Sequence, residues 1–176
     1  GNAFEVEAYR ASDPKNVDFV QQAAGALYYS GVARDLQNSP EESLKLFERS
    51  RLLRTELAAK PDATAYKAEL MLSEARVGNV EATQKLIDEL LPLSEKNVDF
   101  AMDIARSMAV ISLRMEGDAA TSQRTKAVEL LKKVADGGYA DSGRLRLEPD
   151  YSSLREMPEF QSVVEQTEKN AGSAAN

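Results

Sequence analysis

The sequence predicts an all-α protein, an α-α superhelix whose solenoid of about three helix pairs is closed by a short helical C-terminal cap. Three observations predict it. Leu27-Tyr28-Tyr29-Ser30-Gly31 is followed by Ser39-Pro40-Glu41-Glu42-Ser43-Leu44-Lys45-Leu46-Phe47 and closed by Pro61, the pattern of a helix, a turn and an answering helix. Lys15-Asn16-Val17-Asp18-Phe19 returns 81 residues later as Lys96-Asn97-Val98-Asp99-Phe100, an offset that fits two units of ~40 residues. The chain is also rich in Ala, Leu and Glu, which favour helix. Helix pairs of this period cannot bury their apolar faces alone and stack to form a continuous core.

The elements follow in order. Asn16 is placed to cap a helix reaching about Leu36, with Val17, Val20, Ala24, Leu27 and Gly31 at helical steps. Asn38-Ser39-Pro40-Glu41-Glu42 supplies a turn, an N-cap serine, a proline at the first helical position and acidic residues in the first turn. The second helix directs Leu44, Phe47, Leu52 or Leu53, and Leu57 to a core, and Pro61 lies past its end. Asp62 caps a third helix carrying Tyr66, Leu70, Leu72 and Val77, which Gly78-Asn79 terminates through the left-handed conformation. A short fourth helix bears Ala82, Leu86, Ile87, Leu90 and Leu91, with Pro92 kinking or ending it.

Asn97 then opens a fifth helix with Phe100, Ile104, Met108, Ile111 and Met115 as its stripe. Gly117 to Thr125 reads as a polar connection, and Lys126 to Asp136 as a sixth helix with Ala127, Leu130, Leu131 and Val134, stopped by Gly137-Gly138. The expected organisation is a leader over 1–15, repeats over 16–138, a cap over 139–169 and a disordered tail over 170–176. In the cap, Asp150 and Pro158 start two brief helices bearing Leu154, Phe160 and Val163. The tail contains Ala, Gly, Ser and Asn and nothing large enough to anchor it. Gly1 reads as the scar of a cleaved tag and Asn2 to Pro14 as the end of a preceding helix, so a larger parent protein is expected.

Composition narrows the function classes. A net charge of −7 without a basic stripe opposes nucleic acid as the main partner. Neither a membrane-length apolar run nor a signal-peptide pattern is present, and a cytoplasmic location is expected. The chain has no histidine and no cysteine, which removes the commonest general base, the thiol nucleophile and most zinc chemistry. Glu41-Glu42 point about 100° apart on a helix and suit the first turn better than an acid–base pair. Glu116 and Asp118 lack the alternating ligands of a calcium loop, and Gly137-Gly138 lacks the Lys-Ser or Lys-Thr of a phosphate loop. Met108 and Met115 suit core packing. No catalytic residue, metal or cofactor is expected; an enzyme would need carboxylates from distant repeats to converge.

These residues resemble the tetratricopeptide family, whose unit is a helix pair with small residues where the helices touch. Leu27 and Gly31 match the large and small positions of the first helix, Ser43, Phe47 and Ser50 those of the second, and Pro61 the closing proline. The proline arrives late, as in a longer unit of ~42 residues. In the second unit Gly78-Asn79-Val80-Glu81-Ala82-Thr83 matches the turn, with Thr83 in place of alanine and Met71 at the small position; the third has Ala127, Leu131 and Val134 in register. Gly138-Tyr139, Leu145-Arg146-Leu147-Glu148-Pro149-Asp150, Leu154-Arg155 and Pro158-Glu159-Phe160 are similar to the closing segment of repeat regions that follow the catalytic domain of large bacterial serine/threonine protein kinases. No kinase catalytic motif is present in this chain.

In that family the first helices of each pair line a concave groove. The resemblance therefore implies partner contact through Tyr28, Val32 and Asp35, through Leu72 and Arg76, and through Arg106, Leu113 and Glu116. It implies a non-catalytic module that binds a peptide or a partner protein for a larger signalling protein. The alternative is a structural spacer or self-association segment, with a homo-oligomer as its product.

Overall fold

A computed structural model describes residues 13 and 16–174. These residues form α-helices and short 3-10 segments, and no strand occurs among them. The leader expected over 1–15 lies outside the described residues apart from Asp13. The chain divides into two compact units at Asn79/Val80.

The first unit contains α1 (Val17–Leu36), α2 (Pro40–Ala58) and α3 (Thr64–Val77). Asn16 caps α1 as expected, its Oδ1 accepting from the amides of Asp18 and Phe19 at 3.1 and 3.4 Å. Asn38 makes the following turn in the left-handed region (φ 56), and Pro40 opens α2. Ser39 occupies the cap position but its hydroxyl makes no capping bond. Asp62 does not cap α3 either: it adopts φ 57 in the turn, and Ala63 takes the N-cap position. Short polar side chains tolerate that region better than most. Gly78 ends α3 at φ 84.

The α1–α2 contact forms at Gly31 and Phe47. A Cβ on Gly31 would lie 2.8 Å from the Phe47 ring, so glycine is what admits the ring against α1. Ser43 and Ser50 are buried and donate to the carbonyls of Gly31 and Ala24 at 2.9 and 2.8 Å. The small positions thus fasten α2 to the backbone of α1 as well as making room. Val20, Ala23, Ala24, Leu27, Leu53 and Leu57 form one apolar cluster; Tyr28, Val32, Phe47 and Leu72 form a second. Leu44 and Leu52, candidates for the core, are instead exposed.

The second unit is organised around α5. Its elements are α4 (Val80–Leu90), a 3-10 segment (Leu91–Lys96), α5 (Val98–Ser112), α6 (Gly117–Asp136), α7 (Ser142–Leu147), a second 3-10 segment (Pro149–Leu154) and α8 (Pro158–Ala174). Asn97 caps α5 through the Phe100 amide at 3.2 Å, the counterpart of Asn16. From Ala101 to Ser112 every residue of α5 except Asp103 is buried. The helix is covered by α4, α6 and both 3-10 segments, the environment of a helix apolar on all sides.

Three expectations fail here. The polar connection over 117–125 is the first half of α6, which starts at Gly117. Ala120 and Gln123 are buried, and the Gln123 amide donates to Gln84 Oε1 at 2.6 Å. A glutamine filling a core position at helical spacing hides the helix from a reading of apolar periodicity. The cap holds a helix much longer than the brief one expected after Pro158, and the tail from Asn170 continues it to Ala174. The Asn170 amide donates to the carbonyls of Ala135 and Tyr139 at 2.7 and 2.9 Å. The anchor is a hydrogen bond to the end of α6, where helix carbonyls need partners.

Replacing Gly31 by leucine should destabilise the protein by about 1–3 kcal/mol, since the Phe47 ring has to leave its site on α1. Urea unfolding measures this, and an unchanged midpoint would contradict the close approach of the two helices.

Candidate functional site

The residues implied as partner-facing on α1 and α3 lie largely inside the first unit. Tyr28, Val32 and Leu72 come together, but as core: Tyr28 is 1% exposed and its ring packs 5.5 Å from that of Phe47. Arg54 covers the Tyr28 ring at 4.7 Å and donates to Ser73 Oγ and Glu69 O at 2.8 and 2.9 Å. These three residues are core rather than binding surface: the apolar face of α1 is wide enough to enter two clusters, and Leu72 of α3 joins the second. Arg76 lies over Phe47 and is bound to Asp35 at 3.0 Å, so these two meet at the edge of that core.

In the second unit Arg106 is buried, contrary to a role in touching a partner. Its guanidinium is surrounded by three carboxylates. Nε and Nη2 lie 2.9 and 2.7 Å from Asp150 Oδ2, Nη1 lies 3.1 Å from Asp103 Oδ1, and Nη2 lies 3.5 Å from Glu148 Oε2. Asp150 is itself fully buried. Next to it the Tyr151 hydroxyl donates to the Met102 carbonyl at 3.3 Å, and burial raises its pKa well above the usual tyrosine range. Burial also raises the Asp103 carboxyl, against the opposing pull of Arg106. The chemistry of this cluster is fastening: it binds the 3-10 segment Pro149–Leu154 to α5. Among the described residues no group of His, Cys, Asp and Glu is arranged to hold a metal ion. Leu113 and Glu116 are exposed at the turn between α5 and α6.

The second unit also contains an open groove of about 1030 Å³ that no sequence reading singled out. One wall is the 3-10 segment Leu91–Lys96 with the start of α5, and the other is the end of α6 with Tyr139. Pro92 sits in the first turn of that 3-10 segment, directly after α4 ends. Of the leucines in Leu90-Leu91-Pro92-Leu93 only Leu90 reaches the core; Leu91 is 41% exposed and Val98 48%. Ala101, Leu130 and Val134 form an apolar floor, and Lys96, Lys133 and Glu95 are the charged side chains of the rim. Gly137 and Gly138 leave one end without side-chain walls. The only trace of this in the sequence is a cluster of leucines and a valine interrupted by proline and charge, which follows neither a helical nor a strand period.

No family model, curated protein or solved structure matches the chain. The candidate site is an exposed apolar trough with a cationic rim on α5, the helix that the buried ionic cluster also holds. No helix among the described residues is long and apolar enough to cross a membrane.

Replacing Arg106 by leucine should cost about 3–5 kcal/mol, because it leaves the buried Asp150 carboxylate without its countercharge. Urea unfolding of the variant measures the loss, and a cost below that of an ordinary surface substitution would contradict the fastening role. Asp103 titrates with the opposite sign from a carboxylate stabilised by its partner. Its folded pKa lies above the ordinary 3.8, so the folded state binds the proton more tightly. Its contribution to stability is full below 3.8 and falls as pH rises through the raised value. The parent should thus lose stability relative to Asp103→Asn across that window; unfolding free energies at successive pH values test this, and the reverse slope would reject it.

Proposed function

We propose that this chain is a non-catalytic protein-interaction module, part of a larger cytoplasmic signalling protein, and that it binds a peptide-like segment of its partner. The observation that carries the reading is the groove between the 3-10 segment Leu91–Lys96 and the end of α6. It exposes Leu91 and Val98 above an apolar floor, and such a trough gains most when an apolar side chain of another molecule excludes water from it.

The wider setting rests on the resemblance to tetratricopeptide repeats. The Gly31–Phe47 contact with Ser43 and Ser50 at the helix crossing supports a repeat of that kind. A superhelical stack of such pairs, and attachment to a bacterial serine/threonine kinase, belong to this proposal. A self-association segment is the second reading. It is favoured by Tyr29 and Leu36 on α1 and Leu44 and Leu52 on α2, all exposed large apolar side chains.

Val98 is half exposed, so Val98→Asp should leave the fold intact while placing a carboxylate in the trough. Proteins captured from a lysate by the parent chain should be lost from the variant, with circular dichroism confirming that its helices are retained. Equal capture by both would remove the groove from the function, and a stable dimer of the parent in sedimentation equilibrium, with no captured partner, would favour self-association.

A further inference from the structure

We propose that the occupant of the α5–α6 groove is a short acidic segment of a partner protein with one apolar face, a deepening that rests on the interaction-module reading. Charge complementarity inside an apolar frame favours this occupant. The chain as a whole carries 29 acidic and 22 basic residues, yet the groove reverses that balance: Lys96 and Lys133 stand against Glu95 alone. The start of α5, at Asn97 and Val98, lines the same trough. The amino end of a helix this long carries partial positive charge.

The acidic side chains next to the trough have cations of their own: Asp99, in the first turn of α5, lies 3.8 Å from Arg144, and Asp136 lies 2.6 Å from Lys132. Negative charge elsewhere on the surface acts through solvent. Beyond about 10 Å, salt at 0.1 M screens it, whereas the two lysines border the trough itself. The wall and floor residues Leu91, Val98, Leu130 and Val134 accept apolar side chains, and the rim ammoniums accept carboxylates on either side of them. A basic or neutral segment of equal hydrophobicity bears nothing for the lysines to meet. Apolar contact supplies the affinity in this arrangement, and the rim charges select among partners and speed encounter.

A random-peptide phage library panned on the whole chain tests the assignment. Enriched peptides are synthesised with a fluorescent label and titrated by anisotropy against the parent and against Lys96→Glu/Lys133→Glu. Lys96→Ala/Lys133→Ala serves as a milder pair, and circular dichroism verifies each fold. The expected result is a consensus of Asp or Glu with Leu, Ile or Phe. Its affinity should drop about tenfold or more on charge reversal, less on neutralisation, and decline with added salt. Enriched peptides that lack acidic residues, or that bind the charge-reversed chain as well as the parent, overturn this occupant while leaving an interaction module standing. No enrichment at all overturns the occupant and counts against the interaction module as well.

Discussion

A buried guanidinium needs its countercharges within reach, and in the second unit that need fixes how the parts meet. Arg106 belongs to a helix with no exposed residue between Ala101 and Ser112, so its charge has no route to water. Asp150, 44 residues further along, answers it from the second 3-10 segment, and Asp103 and Glu148 complete the ring. Such a pair adds little net stability over an apolar one, but separating its members is expensive. Its effect is to select a single seating of the segment Pro149–Leu154 on α5, on which the burial of Tyr151 and Leu154 depends.

The first unit solves the same problem of fixing register with size and hydroxyls. Gly31 admits the Phe47 ring, and Ser43 and Ser50 donate to carbonyls of α1 on either side of it. Arg54 extends the network from Ser73 across the Tyr28 ring. Polar groups therefore set the positions of helices whose apolar faces are too broad to specify one.

The groove follows from a break in helix geometry. Pro92 follows α4 in a 3-10 segment whose Leu91 and Leu93 turn outward, and Asn97 then starts α5 afresh. The trough lies between this segment and the end of α6, where Gly137 and Gly138 contribute no side chains. The candidate groove in this chain thus lies at an irregular junction, while Tyr28, Val32, Leu72 and Arg106, first implied for partner contact, are buried within their units.

By itself the sequence determined the helical class, most helix starts and stops, and the contact of Gly31 with the second helix. These are local matters: an asparagine cap, a proline in the first turn, a glycine at positive φ, and side chains repeating within a turn or two. The tertiary structure alone decided which faces of α1 and α5 are covered. When apolar residues occupy most of a helix's circumference, periodicity no longer distinguishes inside from outside, which is why Tyr28, Val32 and Arg106 lie within their units. It also decided the helical state of 117–125 and of 170–174, because Gln123 meets Gln84 and Asn170 meets Ala135 across long sequence separations. Hydrogen bonds between distant residues leave no periodic mark on a sequence, and an exposed groove formed by two segments that meet only on folding leaves none either.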